Sequence, residues 1–228
     1  MAVKFKILRY DPEGDGKSRF QSYEVETRKG MTVLEGLFYI QEKLDGSIAF
    51  RSSCRAGVCG SCGMIINGSF RLACETQIES LKSSVISLRP QTHVPVIKDL
   101  VVDLRPFWNK FKYVKPYLLP HDPPPQRERP QSQAEREKLD IVADCILCAN
   151  CYTACPLTGT DDDYLGPQPL LQANRFIRDS RDGEKDMRLD LVGGEHGAFR
   201  CHTIFACQKA CPKDLRHRNA PKSLSRSR

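Results

Sequence analysis

The chain has 228 residues, a formal charge of +7 and eleven cysteines, and this length is enough for two domains of ordinary size. Because the number of cysteines is odd and each falls in a group with ligand-like spacing, metal binding in a reducing compartment is favoured over a disulfide framework. No apolar run is long enough to span a membrane, no secretory signal is recognised at the start, and no nucleic-acid motif accompanies the positive charge.

The chain begins with strand patterns followed by a helix. Residues 3–9 alternate apolar and charged side chains, and a second strand is expected with Tyr23 and Val25 on one face. Thr32 and Glu35 form a capping box that predicts the start of a helix. The residues that follow at helical spacing are all apolar except Gln41: Leu34, Leu37, Phe38, Gln41 and Leu44.

A hairpin follows at residues 64–72, because Asn67-Gly68 between apolar runs is a strong signal for a two-residue turn. Residues 85–88 have the pattern of a final strand. The order of strands and helix predicts an N-terminal β-grasp domain, in which a sheet wraps one helix, and the whole chain is predicted to be α+β.

The loop between helix and hairpin contains Cys54, Cys59 and Cys62, and Cys74 lies beyond it. This C-x4-C-x2-C…C spacing is typical of plant-type [2Fe–2S] sites, although the last interval is shorter than in the plant proteins. Glycines among the ligands would let backbone N–H groups approach the cluster closely; they are Gly57, Gly60 and Gly63. Zinc is the alternative, but zinc knuckles favour paired C-x2-C units.

Residues 99–113 have a helical stripe, and residues 116–133 contain six prolines and several charges, which is typical of a semi-rigid connector. We expect a [2Fe–2S] domain over residues 1–108 and a helical ferredoxin domain over residues 109–228. The second domain is predicted to contain helices at residues 135–143 and 169–180.

Between these helices, residues 145–156 have the pattern C-x2-C-x2-C-x3-C-P. This is the bacterial ferredoxin motif, in which three thiolates bind one cluster and the fourth binds another. A second group, Cys201, Cys207 and Cys211-Pro212, fits the same template except at its second position, where Ile204 stands. An aliphatic side chain cannot bind iron, so the cluster at this group is expected to lack one iron.

The crossing rule of the bacterial motif then assigns every cysteine in the chain. The predicted ligands are Cys54, Cys59, Cys62 and Cys74 for [2Fe–2S]; Cys145, Cys148, Cys151 and Cys211 for [4Fe–4S]; and Cys155, Cys201 and Cys207 for [3Fe–4S]. A second [4Fe–4S] cluster with a non-cysteine ligand is the alternative for the last set.

Several segments share a pattern with one known family, at residues 51–62, 72–74, 99–103, 145–156, 166–167, 179–182 and 201–204. Together they resemble the iron–sulfur subunit of succinate dehydrogenase and quinol:fumarate reductase. The resemblance implies a partner flavoprotein with covalent FAD, one or two membrane anchor subunits that can hold haem, and a quinone. Electrons would pass between flavin and quinone through the three clusters. No nucleophile–base pair stands out, so the dicarboxylate chemistry is expected in the flavoprotein.

The family places quinone near the three-iron cluster, and the matching positions here are Pro156, His202 and Ile204. His202 could donate to a quinone oxygen or satisfy a backbone carbonyl. Ubiquinone-type members carry a Trp pair after the Cys-Pro, where this chain has Leu157-Thr-Gly-Thr160, so menaquinone is favoured over ubiquinone.

The chain ends in a basic, serine-rich stretch, which either touches anionic lipid headgroups or is solvated; its cations are Lys213, Arg216, Arg218, Lys222, Arg226 and Arg228. The expected location is the cytoplasmic face of a bacterial inner membrane. Two other functions remain open at this point: a free electron carrier or subunit of another flavin reductase, and a zinc-stabilised interaction module.

Overall fold

The computed structural model describes residues 2–215. This part of the chain forms two compact units, the first comprising residues 2–104 and 146–154 and the second comprising residues 105–145 and 155–215. The division departs from the linear one expected at residue 108, because a short segment from the second half of the sequence belongs to the first unit.

The N-terminal part of the chain forms seven strands and one α-helix of the first unit. The strands are β1 (Ala2–Arg9), β2 (Arg19–Glu26), β3 (Gly63–Ile66), β4 (Ser69–Leu72), β5 (Val85–Arg89), β6 (Val96–Lys98) and β7 (Val101–Val102). The helix α1 spans Val33–Tyr39 and continues as a π-helical turn over Ile40–Leu44.

The main sheet has the strand order β2-β1-β5-β3-β4, with β1 and β5 parallel and the other neighbours antiparallel. Its inner face packs on α1, where Phe5, Leu37 and Leu88 are completely buried. A side chain at Gly36 would collide with the ring of Phe5, so the glycine lets helix and sheet approach closely. This arrangement is the predicted β-grasp sheet around one helix.

Local signals in this unit were accurate. The Thr32–Glu35 capping box is present, and Asn67 and Gly68 both have positive φ, as a type I′ turn requires. Of the residues at helical spacing, Leu44 is 48 % exposed. The π-helical turn changes the period of the last turn and rotates this side chain outward.

The predicted helix over residues 99–113 is wrong in its first half, because α2 spans only Arg105–Tyr113. Asp99 has a φ of 48°, and its buried carboxylate accepts bonds from Arg9 Nε and the amides of Tyr10 and Ala49. These tertiary bonds outweigh the helical pattern and lead the chain into β7 instead.

The second unit is mainly helical. Besides α2 it contains α3 (Gln133–Ala143), α5 (Pro167–Arg178), α6 (Lys185–Val192) and α7 (Ala206–Ala210), while α4 (Asn150–Thr153) belongs to the first unit. The predicted helices at 135–143 and 169–180 correspond to α3 and α5, and α6 was not predicted.

The core of the second unit forms around α5, in which Leu170, Leu171 and Ala173 are completely buried. Arg188 on α6 is also completely buried and donates to Asp182 and to the carbonyls of residues 114, 115 and 117. This arginine therefore links the start of the proline-rich connector to α6 by hydrogen bonds.

Candidate iron–sulfur centres

In the loop before β3, several backbone amides donate hydrogen bonds to the same sulfur atom. The amides of Ala56, Val58 and Cys59 donate to Cys54 Sγ over 3.3–3.4 Å, and the amide of Cys54 donates to Cys59 Sγ. A neutral thiol is a weak acceptor, whereas a thiolate attracts several donors. The loop is therefore built to hold its sulfurs as anions, as cluster ligands must be.

The thiols of this site interact as two pairs, Cys54 with Cys59 and Cys62 with Cys74. The Ser61 hydroxyl, 3.0 Å from Cys59 Sγ, is the main cause that lowers the pKa of Cys59 to about 6. Burial, followed by the nearby Cys74, raises the pKa of Cys62 to about 12. Two thiol pairs are the donor set that two irons need, so these residues fit a [2Fe–2S] cluster.

Gly57 and Gly60 of this loop have positive φ, whereas Gly63 does not. A side chain on Gly57 would collide with the carboxylate of Glu75. One on Gly60 would collide with the backbone of Cys148. The glycines thus make room for neighbouring protein atoms.

Of the four cysteines proposed for [4Fe–4S], Cys148 and Cys151 belong to the first compact unit, and Cys145 and Cys211 belong to the second. Within the second unit, Cys145 and Cys211 pack against one apolar cluster formed by Val142, Leu171 and Leu215. The assignment of this set stays a prediction from spacing.

A cavity in the second unit brings the three remaining cysteines together, although Cys155 is far from Cys201 and Cys207 in sequence. Burial is the main cause that raises the pKa of Cys155, and it raises that of Cys207 to about 11. Burial, and then the charge of Cys201, also raises the pKa of Tyr164, which lines the same cavity. Three thiols in a mainly apolar wall fit a cluster bound at three corners.

The backbone shows where a fourth ligand would stand. Leu147 and Ala149, on either side of Cys148, have φ of 55° and 61°. Thr203 and Phe205, on either side of Ile204, have φ of 54° and 63°. Such values are uncommon for residues other than glycine, and in both loops a short helix begins directly afterwards. Ile204 therefore occupies the local position that Cys148 holds in the complete motif.

All three predicted quinone-site residues, Pro156, His202 and Ile204, line this same cavity. Ile204 is 55 % exposed, and Phe199 and Phe205 nearby in sequence are also exposed. Tyr164 is a wall residue that the sequence analysis did not single out. Nothing in its sequence spacing relates it to the cysteines, because its place depends on the packing of the loop before α5.

In the residues that the structure describes, no helix is long and apolar enough to cross a lipid bilayer. Of the predicted basic tail, only Lys213 belongs to the described part, and residues 216–228 lie outside it.

Two family models match this chain. A 2Fe-2S iron-sulfur cluster binding domain matches residues 4–109, and a 4Fe-4S dicluster domain matches residues 138–212. Together they cover both cysteine-rich regions.

The chain is also similar to whole proteins. It is 47 % identical to succinate dehydrogenase [ubiquinone] iron-sulfur subunit 1, mitochondrial, of Oryza sativa, with 92 % of this chain and 76 % of the relative aligned. It is 44 % identical to the succinate dehydrogenase iron-sulfur subunit of Coxiella burnetii, covering 93 % and 91 %. A chain of the Mycobacterium smegmatis Sdh1 complex in the apo form superimposes with a TM-score of 0.86 at 26 % identity, covering 99 % and 95 %.

Proposed function

The chain belongs to the family of succinate dehydrogenase iron–sulfur subunits, and from this premise we propose that it conducts single electrons between the FAD of a flavoprotein subunit and a membrane quinone. The clusters would supply one-electron redox chemistry between a two-electron flavin and a quinone that is reduced in two steps. The protein supplies the thiolate ligands, the hydrogen bonds to sulfur and the shielding from water.

The observation that carries the proposal is the cavity that joins Cys155, Cys201 and Cys207 to the predicted quinone residues. With Ile204 at the position of the fourth ligand, a three-iron cluster bound here would be next to an exposed apolar surface. Such a surface suits contact with a hydrophobic anchor subunit and a quinone. A flavoprotein and anchor subunits are therefore the proposed partners, at the cytoplasmic face of a bacterial inner membrane.

The proposal is tested on the complex purified through a tag on this chain. We expect iron and acid-labile sulfide, three distinct iron–sulfur EPR signals, and co-purification of a flavoprotein and a membrane protein. Zinc without sulfide would favour the interaction module instead. A soluble preparation without anchor or quinone reactivity would favour the free electron carrier.

For the quinone, we propose menaquinone, because Leu157-Thr-Gly-Thr160 replaces the Trp pair of the ubiquinone-type members. The rice relative, whose name contains ubiquinone, supports the other choice. Assays of the complex with soluble menaquinone and ubiquinone analogues decide between them. A higher kcat/KM with the ubiquinone analogue would refute the menaquinone assignment.

The exposed His202 lines the cavity and is proposed to donate to a quinone oxygen. His202→Ala is then expected to raise the KM for quinone several-fold while all three EPR signals persist. An unchanged KM would assign this imidazole to a structural role.

A further inference from the structure

One contact within the first unit joins two cysteine groups that are far apart in sequence. Gly60 is buried and lies between Cys59 and Cys62. A Cβ atom built on it would lie 2.7 Å from Cys148 Cα and 2.8 Å from both Cys148 Cβ and Ile146 O. Because two of these atoms belong to the backbone, no side-chain rotation could relieve the collision. Only glycine permits this approach.

A buried amide pair holds the same segment in place. Gln91 Nε2 donates to the carbonyl of Cys148 over 2.9 Å and to Asn150 Oδ1 over 2.7 Å. Gln91 is 4 % exposed and Asn150 is completely buried. Buried polar donors and acceptors are costly to leave unpaired, so hydrogen bonds between them keep a well-defined geometry.

Two further contacts involve the same segment. The Thr92 hydroxyl donates to the carbonyl of Thr153 over 2.8 Å. A Cβ on Gly63 would lie 2.7 Å from Asn150 Oδ1 and 3.3 Å from the Cys148 carbonyl. Segment 146–154 therefore packs against Gly60 and Gly63 of the first cysteine group and is held there by hydrogen bonds from Gln91 and Thr92.

We infer that Gly60 and Gln91 are positioning residues that fix the separation between the [2Fe–2S] and [4Fe–4S] clusters. The inference rests on the proposed function, in which Cys59 and Cys62 bind one cluster and Cys148 and Cys151 bind the next. Gly60 brings the two ligand segments into van der Waals contact, and the Gln91 amide holds them in register. The transfer involves one electron leaving one cluster and entering the other, with no bond or proton change.

Gly60→Ala tests the contact, and Gly68→Ala is its matched control. Both glycines have φ near +75°, so alanine brings similar backbone strain at each. A Cβ on Gly68 has no protein atom within 4 Å, whereas one on Gly60 displaces the Cys148 segment. The two variants therefore separate the effect of the contact from that of the strain.

The readout is the magnetic interaction between the two clusters, measured in the reduced complex as the microwave power at which the [2Fe–2S] EPR signal half-saturates. We expect Gly60→Ala to lower this power several-fold at full iron and sulfide content, and Gly68→Ala to leave it unchanged. An unchanged half-saturation power in Gly60→Ala, with both signals present, would overturn the inference.

Gln91→Met, which keeps the length of the side chain and removes the donor, is the second variant. The exposed Gln77→Met is its control. A smaller decrease in the same direction is expected for Gln91→Met. If Gly60→Ala loses a cluster, Gln91→Met decides the question. Loss of a cluster in this variant too would mean that the contact serves assembly rather than spacing.

Failure of the proposed function has a different signature. It would appear in the unmodified complex as a missing [2Fe–2S] or [4Fe–4S] signal. Failure of the present inference would leave both signals intact and insensitive to Gly60→Ala.

Discussion

The two cysteine sites that each lie within one unit differ in how they are assembled. At the first site, Cys54, Cys59 and Cys62 share one loop, and Cys54 Sγ accepts three amides from that same loop. At the second, Cys155 meets Cys201 and Cys207 only because the intervening helices fold back. One site is built from local geometry and the other from tertiary packing.

They also differ in chemistry. At the first site the exposed Cys59 and the half-buried Cys54 lie among hydrogen-bond donors, while Cys62 and Cys74 are buried. At the second, Cys155 is buried, Cys201 and Cys207 are half-buried, and burial is the main cause that raises the pKa of Cys155 and Cys207. Hydrogen bonding and solvent exposure are among the factors that set cluster potentials. The same ligand type is therefore placed in two environments, and the following experiments separate their contributions.

The largest effect is expected from removing one ligand at each site. Cys207→Ser should abolish the three-iron EPR signal and leave the [2Fe–2S] signal intact. Cys54→Ser should weaken or abolish the [2Fe–2S] signal with the three-iron signal retained. EPR and iron content of the purified complexes measure both outcomes. Loss of both clusters in either variant would contradict the independence of the two sites.

A variant remote from the ligands should affect only the packed site. Arg188→Met leaves the Asp182 carboxylate, whose side chain is 1 % exposed, without its arginine, which costs about 3–5 kcal/mol for a buried pair. We expect a lower Tm and loss of three-iron signal, with the [2Fe–2S] signal unchanged.

The control is Arg136→Met on the exposed face of α3, where the arginine pairs with Asp140 over 3.0 Å. Such a pair contributes about 0.5 kcal/mol. If both variants had equal Tm and equal cluster content, Arg188 would not support the second site.

Tyr164→Phe probes the hydroxyl that lines the cavity together with Cys201. A hydrogen bond from this hydroxyl to the bound cluster would favour the more negative, reduced state, and the buried surroundings would strengthen it. Its loss is expected to lower the potential of the three-iron cluster by about 60 mV. Redox titration followed by EPR measures the shift, and a potential that stays the same or rises would show that the hydroxyl does not act on the cluster.

Ser61→Ala removes the corresponding donor at the first site, 3.0 Å from Cys59 Sγ. Because Cys59 is exposed, water replaces part of the lost bond. A decrease of about 30 mV in the [2Fe–2S] potential is expected. A shift larger than that of Tyr164→Phe would contradict the expectation that a hydroxyl at the second site affects its cluster potential more than a hydroxyl at the first site.

The same contrast explains what could be predicted from sequence. Local signals, such as the Thr32–Glu35 capping box and the Asn67-Gly68 turn, were confirmed because they depend on adjacent residues. The helix predicted over residues 99–113 is wrong over its first half, because Asp99 is held by bonds to residues distant in sequence. Tyr164 was missed for the same reason.

Ligand spacing gave a complete assignment of the cysteines, but it could not reveal the shared backbone of the two ligand loops. Positive φ on both sides of Cys148 and of Ile204 is a conformation that these residue types rarely adopt. The residue types alone do not predict this backbone conformation. The template spacing already places Ile204 at a ligand position, and the structure adds that its loop has the same backbone conformation as the loop of Cys148.

The most direct test is therefore Ile204→Cys, which restores a thiol at the position equivalent to Cys148. If the cavity holds a three-iron cluster, the EPR signal of the oxidised three-iron form should disappear. A reducible [4Fe–4S] signal with one more iron per complex should replace it. The account is contradicted if the cavity of the unmodified complex already holds a four-iron cluster. It is also contradicted if Ile204→Cys leaves the three-iron signal unchanged with the cluster fully present, because Ile204 would then not stand at the position of the missing iron.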